Sequence, residues 1–294
     1  MTTTADEATP IATKGLVLRA AQARWYDALA SVLTLGRERA LRDRLAELAR
    51  LAPGEAVLDV GCGTGSLALA AKRRVGAAGT VVGVDASPEM IALAQRKAAR
   101  ADSEVTFRNG VAERLPFPDG TFDVVLATLM LHHLPAPLRR ECAREAVRVL
   151  KPGGRVLAVD FSRPSRRRGG LLARLHRHGG VTLDAMVALL RDAGLHVDET
   201  GSVGVSDLQF VVAVVPHPGE DPARHDAVPA SRTLPPLGRT RWLVPAAVIA
   251  AAAAHAWIAG RLAGLLSLSA VGIATGAIAL VVVAVHALGV RRRH

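Results

Sequence analysis

The chain has little of what several protein classes depend on. It carries two cysteines, Cys62 and Cys142, in 294 residues, and aromatic residues make up 3% of it. So few cysteines exclude a disulfide scaffold and suit a reducing compartment. Cysteine and histidine do not recur at the spacing of metal ligands, so the sequence predicts no metal site. The opening segment MTTTADEATP has no apolar core, and no secretory signal is therefore predicted.

Acidic residues are in the minority, and the excess of positive charge is mostly arginine. Lysine and arginine number 37 against 26 aspartates and glutamates, which gives a formal net charge of +11. Heavy use of alanine and arginine is typical of a GC-rich bacterial genome, so this charge does not by itself predict a nucleic-acid partner, and none is expected. The basic segment RPSRRRGGLLARLHRH at 163–178 is interpreted as a contact with anionic lipid. A solvated arginine face and an RNA-binding segment are the alternatives.

The composition divides the chain into four segments. Residues 1–15 are predicted to be a disordered tail. Residues 16–216 are predicted to form one α/β domain, because strand-like and helix-like segments alternate within them. Residues 217–240 are interpreted as a linker rich in proline and arginine, which is too polar to pack a core. The last segment, 241–290, is strongly apolar.

Within the α/β domain we predict a doubly wound, mostly parallel sheet of seven strands. No clear helix pattern separates the last two strands, so the final strand is expected to be antiparallel. Before the first strand, residues 16–50 have helical periodicity. The strands are predicted near 56–60, 80–84, 104–108, 122–128, 154–160, 195–202 and 208–215.

The apolar segment predicts two transmembrane helices. From 242 to 290 the sole charged residue is Arg261, and the run is about twice the roughly 20 residues that cross a bilayer. We place the helices at about 243–264 and 269–289, with a buried soluble hairpin as the alternative. The protein is thus expected in the cell membrane, with its α/β domain in the cytoplasm. The positive-inside tendency favours this orientation, because arginines flank both helices on one side, at Arg239, Arg241, Arg291, Arg292 and Arg293.

A strand followed by a glycine-rich loop carries the chemistry of the α/β domain. In the run VLDVGCGTG at 57–65, an apolar strand with an acid near its end leads into three glycines. Glycines let the backbone approach a ligand closely, and the start of the next helix offers unpaired N–H groups to a polar or anionic group. The next strand, TVVGVD, ends in Asp85, where an acid can accept both hydroxyls of a ribose. The two elements predict a site for a nucleoside-containing cofactor.

The glycine spacing differs from that of a dinucleotide site. That site reads G-x-G-x-x-G, whereas this loop reads G-x-G-x-G and has Ser66 at the third dinucleotide position. Here the chain resembles the class I S-adenosylmethionine (SAM) methyltransferases, and more narrowly their type-11, ubiquinone/menaquinone-biosynthesis-like branch. The resemblance covers roughly residues 16–216 and implies a Rossmann-like fold with SAM as cofactor. Three further runs support the resemblance: ERLPFPDGTFDVVLATLMLHHL at 113–134, EAVRVLKPGGRVLAVDF at 145–161 and LLRDAGLHVDETGSVGVSDLQFVVAVVP at 189–216.

The resemblance also implies cofactor contacts. Asp59 would face the methionine amino end of SAM and Asp85 the ribose hydroxyls, with a cap or turn role as the alternative for each acid. Val111 stands where the family commonly has an aspartate that accepts from the adenine amino group, and a valine side chain accepts no hydrogen bond. The backbone of Ala112 and the side chain of Asn109 are the remaining candidates. The predicted cofactor residues are Asp59, Gly61, Cys62, Gly63, Gly65, Asp85, Ala86, Val111, Ala112 and Thr128.

Two histidines and two aromatic residues are the candidates on the acceptor side. His132 and His133 follow the fourth predicted strand, where a histidine suits the role of general base for a phenol or enol; starting a helix is the alternative. Trp25 and Tyr26 lie where related enzymes place an N-terminal lid over the substrate, or else they pack a helix. No Asn/Asp-Pro-Pro-aromatic tetrapeptide is present, which argues against nucleic-acid bases and protein amides as acceptors.

These observations predict a SAM-dependent methyltransferase that acts on a small, lipophilic, membrane-associated molecule. A quinone precursor and a phospholipid head group both fit that description. A methyltransferase for a soluble metabolite, with an incidental anchor, is one alternative. A membrane scaffold whose SAM fold no longer catalyses is another. C-, O- and N-methylation stay open, as does the oligomeric state.

Overall fold

The computed structural model describes residues 38–161, 181–205, 207–217, 219 and 229–237. In this part of the chain, no helix combines the length and the apolar character that a membrane crossing needs. Several predictions lie outside the described residues: the tail at 1–15, the lid residues Trp25 and Tyr26, the basic segment 163–178, and the two apolar helices at 243–264 and 269–289.

Strands and helices alternate through most of the described chain. The elements are α1 (Glu38–Leu48), β1 (Ala56–Val60), α2 (Ser66–Val75), β2 (Thr80–Asp85), α3 (Pro88–Arg100), β3 (Thr106–Asn109), β4 (Phe122–Thr128), a 3₁₀ turn (Leu131–His133), α4 (Ala136–Val149), β5 (Leu150–Phe161), α5 (Leu183–Asp192), β6 (His196–Ser202), β7 (Leu208–Val214) and β8 (Ala230–Thr233).

Local sequence explains where two of the helices begin. The Ser87 hydroxyl accepts a hydrogen bond from the Met90 amide at 3.2 Å, and Pro88 occupies the first helical position of α3. The Thr182 hydroxyl accepts from the Ala185 amide at 3.2 Å in the same way at the start of α5. Such caps satisfy amides that the helix itself leaves unpaired.

The strands form one sheet in the order β3-β2-β1-β4-β5-β7-β6-β8. All neighbours pair parallel except β7, which is antiparallel to both β5 and β6. The predicted doubly wound, mostly parallel sheet is therefore confirmed. The strand predicted near 208–215 to be antiparallel is β7 (Leu208–Val214), and its antiparallel pairing is confirmed as well. The predicted number of seven strands is wrong, because the described residues already form a sheet of eight.

The eighth strand lies inside the segment that was predicted to be a linker. β8 pairs parallel with β6, and all four of its residues are exposed. Gly201 in β6 lies so close to the carbonyl of Arg232 that a Cβ would have no room there. Arg44 of α1 secures the segment further, donating to the carbonyls of Val203 at 2.9 Å and Pro235 at 2.7 Å. Backbone hydrogen bonds to β6, and not buried side chains, hold this strand in the sheet. Its sequence therefore lacks the alternation of apolar and polar residues by which a strand is predicted.

Apolar residues cover both faces of the sheet, as a central parallel sheet requires. In β1, Val57 and Leu58 point to opposite faces, and both are fully buried. Helices α1, α2 and α3 pack on the face of Val57, and α4 and α5 pack on the face of Leu58. Burial of each such side chain stabilises the fold by about 1.5–3 kcal/mol.

Strand direction brings the candidate site residues to one edge of the sheet. Strands β1 to β5 run parallel, so their carboxyl ends share that edge, and β7 begins there because it is antiparallel to β5. The strand order reverses at β1, since β2 and β3 lie on one side of it and β4 and β5 on the other. Open α/β sheets bind ligands in the crevice at such a switch point.

Candidate functional site

The glycine loop after β1 turns through conformations that favour glycine. Gly61, Gly63 and Gly65 have φ angles of 68°, 52° and 76°. A Cβ on Gly61 would lie 2.8 Å from the Cβ of Met130, and one on Gly65 would lie 2.5 Å from the Phe107 ring. By contrast, nothing lies within 4 Å of the Cβ position of Gly63. The loop is therefore packed at both ends and open in the middle, where a ligand can approach the backbone.

The carboxylate of Asp85 ties this loop to the start of α3. One oxygen accepts from the Gly63 amide at 2.9 Å, and the other accepts from the Ser87 amide at 2.9 Å. Burial raises the pKa of Asp85, and these two amide bonds lower it. A carboxylate oxygen has a second lone pair, so the turn role of Asp85 is compatible with the predicted ribose contact, which stays a prediction.

Asp59 is the most unusual acid of the site. Its residue is 1% exposed, and neither carboxylate oxygen has a hydrogen-bond partner among the described residues. Burial is the main cause that raises the pKa of Asp59 to about 7, and the charge of Asp85 adds to it. The amide of Ala68 lowers this pKa, although it does not reach hydrogen-bonding geometry. A buried carboxylate without a partner lowers the stability of the fold unless a cation or a hydrogen-bond donor pairs with it. The ammonium of a bound amino acid moiety would do so.

One lysine supports the glycine loop from α3, and sequence analysis did not find it. The ammonium of Lys97 donates to the hydroxyls of Thr64 at 2.8 Å and Ser66 at 2.6 Å. Ser66 is the residue that takes the place of the third dinucleotide glycine, so its side chain has a structural use here. Lysine at a solvent-facing helix position is common, and the sequence therefore carried no signal of this contact.

The predicted adenine side has no acidic side chain. Val111 and Ala112 are buried, and the backbone of Val111 forms an isolated bridge with Arg114. The Asn109 amide nitrogen donates to the backbone carbonyl of Asp85 at 2.9 Å, so its oxygen remains available as the acceptor that Val111 does not provide. Of the other predicted cofactor residues, Ala86 and Thr128 are partly exposed at the same edge, whereas Cys62 is buried, which raises the pKa of its thiol.

The backbone after β4 is strained beside this crevice. Leu129 has a φ of 55°, although its side chain disfavours the left-handed region, and its amide donates to the Val159 carbonyl at 2.8 Å. Such strain often marks a functional turn. Here it directs the chain from Thr128 to the two predicted histidines.

His132 forms a close pair with a buried aspartate. The Nδ1 of His132 lies 2.7 Å from one oxygen of Asp160, and its amide donates to the other oxygen at 3.0 Å. Asp160 is fully buried near the end of β5 and also accepts from the Phe161 amide at 2.7 Å. This arrangement fixes the ring orientation and favours the proton on Nδ1, which leaves Nε2 as the basic atom.

His133 lies beside this pair and contacts no carboxylate among the described residues. Its ring centroid is 3.8 Å from that of His132. Burial lowers the pKa of His133, as does His132, while Asp160 acts in the opposite direction. The structure therefore distinguishes two histidines that the sequence treated alike, since His132 contacts a buried carboxylate. Asp160 also carries a signal in the sequence, since it is an acid near the end of an apolar strand, as Asp85 is at the end of β2.

The described residues thus bring together most of the predicted site. The glycine loop, Asp59, Asp85, Thr128 and His132 meet at the carboxyl edge of the sheet. The lid residues Trp25 and Tyr26 lie outside the described chain. Within it, no group of three or more His, Cys, Asp or Glu side chains is placed to hold a metal ion.

Comparisons with known proteins extend these observations. The model of a family described as a methyltransferase domain matches residues 57–154. The demethylmenaquinone methyltransferase of Thermus thermophilus is 38% identical over 151 residues, which cover 51% of this chain and 67% of the relative. That of Lactiplantibacillus plantarum is 37% identical over 141 residues, covering 47% and 59%. The chain thus spans about three fifths to two thirds of the length of these relatives.

Solved structures agree with the fold. A SAM-dependent methyltransferase from Aquifex aeolicus superposes with a TM-score of 0.55 at 23% identity, covering 67% of this chain and 99% of the other. The [4+2]-cyclase SpnF superposes with a TM-score of 0.56 at 21% identity, covering 70% and 100%. At this level of identity the likeness concerns the fold alone, and one fold supports more than one reaction.

Proposed function

We propose that this chain, which belongs to the class I SAM-dependent methyltransferases, transfers a methyl group to a lipophilic, quinol-type small molecule. The observation that carries the proposal is His132, held by Asp160 at the carboxyl edge of the sheet. A base at this place suits an acceptor that becomes nucleophilic when a ring hydroxyl loses its proton.

The residues around the glycine loop fit the cofactor of this family. When bound, SAM supplies a methyl group that is already activated on a sulfonium centre. The buried carboxylate of Asp59 is suited to hold the ammonium of the methionine end, because it has no partner among the described residues. The open face of Gly63 leaves room for a ligand, and the remaining lone pairs of Asp85 suit ribose hydroxyls.

His132 and Asp160 would divide the work of proton removal. With its Nδ1 proton directed at Asp160, His132 accepts the hydroxyl proton of the acceptor on Nε2. The carboxylate of Asp160 then stabilises the imidazolium that forms. Asp160 acts by orienting the ring through its contact with Nδ1.

The quinol class of acceptor rests on two supports. The relatives at 35–38% identity are demethylmenaquinone methyltransferases. In the described chain, Phe161 is the one large apolar side chain that is exposed, at 42%, and its ring centroid lies 5.9 Å from that of His132. An exposed aromatic ring beside the base is well placed to contact a flat aromatic acceptor.

The proposal is tested with the full-length chain, SAM labelled in its methyl group, and three acceptors. These are a short-chain demethylmenaquinol, phosphatidylethanolamine and a water-soluble phenol. We expect label in the quinol. Preferential labelling of the phenol would favour the alternative of a soluble acceptor. Failure to bind SAM in calorimetry would favour a non-catalytic scaffold.

We further propose that residues 241–290 anchor the protein in the cell membrane through helices at about 243–264 and 269–289, with the catalytic domain in the cytoplasm. The support is the sequence itself, in which Arg261 is the sole charge from 242 to 290. A charge near the bilayer centre costs about 2.5–3.5 kcal/mol on insertion scales, and Arg261 falls near the end of the first helix. A reporter fused after His294 should be cytoplasmic, and one fused after Ser267 should be outside; a cytoplasmic signal from the second fusion contradicts the two-helix topology.

A further inference from the structure

A glutamine lies next to the His132–Asp160 pair in the sheet. Gln209 is paired directly with Asp160 across the antiparallel ladder of β5 and β7. Residues directly opposite each other in such a ladder point to the same face. The side chain of Gln209 therefore stands beside Asp160 on the face of the sheet where His132 makes its contact.

The amide oxygen of Gln209 is left without a partner. It is buried, and no described residue donates a hydrogen bond to it. Its neighbours in the ladder are already engaged: Asp160 accepts from His132 and Phe161, and the Ser202 hydroxyl accepts from the Gly204 amide at 3.2 Å. A buried acceptor without a donor costs stability, so its position calls for an explanation other than folding.

The rest of the strand shows that a polar side chain is unusual here. β7 reads LQFVVAV, and residues 208 and 210 to 213 are all buried and apolar. A leucine would satisfy the packing of position 209 without leaving a polar atom unpaired. Gln209 also lies at the end of β7 that meets the carboxyl edge of the sheet, where the candidate site is.

We infer that Gln209 is a specificity-determining residue that binds a second ring oxygen of the acceptor, distinct from the hydroxyl that His132 deprotonates. This inference rests on the proposed function. A carboxamide carries both an acceptor and donors, so it pairs with a hydroxyl or with a carbonyl. The site would then select acceptors with two oxygens on the ring system over those with one.

The test compares a short-chain demethylmenaquinol with the two corresponding naphthols, each of which lacks one ring oxygen. In the full-length wild-type protein, kcat/KM for the quinol should exceed that for the better naphthol by at least roughly tenfold. In Gln209→Leu this preference should fall to about one, through a higher KM for the quinol. The matched control is Gln95→Leu on the exposed side of α3, which should keep the preference.

Two further measurements separate this role from a structural one. Gln209→Leu should not lower Tm, because it removes an unpaired buried acceptor, and it should leave the affinity for S-adenosylhomocysteine unchanged in calorimetry. A retained preference in Gln209→Leu overturns the inference, as does a lower Tm with weaker cofactor binding. If the wild-type protein methylates none of the three compounds, the quinol proposal fails and this inference with it. If the wild-type protein methylates the quinol and Gln209→Leu leaves its preference unchanged, the inference is overturned and the quinol proposal stands.

Discussion

The two halves of the candidate site are built in different ways. On the cofactor side, the glycine loop, Asp59 and Asp85 all belong to the continuous unit from β1 to β2, and the bond from the Gly63 amide to Asp85 spans 22 residues. On the acceptor side, His132 depends on Asp160, which is 28 residues away, and Gln209 comes from a strand further along the chain. Residues that belong to one strand–loop–helix–strand unit form a motif that can be recognised in the sequence. Residues from strands such as β4, β5 and β7 appear in the sequence as isolated positions, and only the strand register shows that they lie together.

The largest expected effect tests whether the acceptor side has one base. His132→Ala should lower kcat by roughly 10²–10⁴-fold, the usual contribution of a general base, with the affinity for SAM unchanged. His133→Ala is the matched control, since His133 has no carboxylate partner of its own in the described chain, and it should keep most of the activity. Steady-state kinetics and calorimetry measure both. Equal losses in the two variants would show that the histidines act together.

The next largest effect concerns the charge of Asp59. Because its folded pKa is about 7, against an ordinary value of 3.8, the cofactor-free protein binds a proton between about pH 4 and 7 that the unfolded chain releases. Its stability should therefore fall as pH rises from about 4 to 7 and become constant above 7, with a total loss on the order of a few kcal/mol. SAM affinity should change the other way and rise as Asp59 ionises.

Asp59→Asn isolates this effect. The variant should lose the pH dependence of stability near pH 7 and should unfold at a higher temperature than the wild type at pH 8. It should bind SAM about 10–100-fold more weakly, since it lacks the charge that pairs with an ammonium. Thermal denaturation and calorimetry across pH 5–9 provide the measurement. Unchanged SAM affinity would mean that the carboxylate faces something else.

A smaller effect separates packing from ligand approach within the glycine loop. Gly65→Ala places a methyl group against Phe107 and Ala94 at a φ of 76°, so we expect a loss of about 2–3 kcal/mol in the free energy of unfolding. Gly63→Ala meets no atom within 4 Å and should cost about 1 kcal/mol from its φ of 52° alone. Gly63→Ala should nevertheless bind SAM more weakly. Chemical denaturation and calorimetry distinguish the two, and wild-type SAM affinity in Gly63→Ala would place the ligand elsewhere.

The smallest effect concerns the adenine side. Val111→Asp restores the acceptor that the family commonly has, and one charge-assisted hydrogen bond should strengthen SAM binding by about 1 kcal/mol. Since Val111 is buried, the same change should lower the stability of the cofactor-free protein. Calorimetry and a thermal scan with and without SAM test this pair of opposite changes. Weaker binding would show that Val111 serves packing alone.

Much of the fold was predictable because its signals are local. The run at 57–65, the acid at the end of TVVGVD and the alternation of strands and helices predicted a parallel sheet with a cofactor loop at one edge. β8 was not predictable, because backbone hydrogen bonds hold its four exposed residues to β6. Lys97 was missed for a related reason, since its contact with Ser66 joins two helices that only the packed core brings together.

The sequence by itself predicted a site for a nucleoside-containing cofactor at one edge of the sheet, because loop geometry and strand order follow from short-range preferences. The resemblance to the SAM methyltransferases then identified the cofactor as SAM. The tertiary structure alone decided which histidine has a buried carboxylate, why Asp59 is held with a raised pKa, and where Gln209 stands. These properties arise from burial and from the register between strands that are distant in the chain. Both depend on the whole fold, since a side chain loses water and meets its partner only when the neighbouring elements are in place.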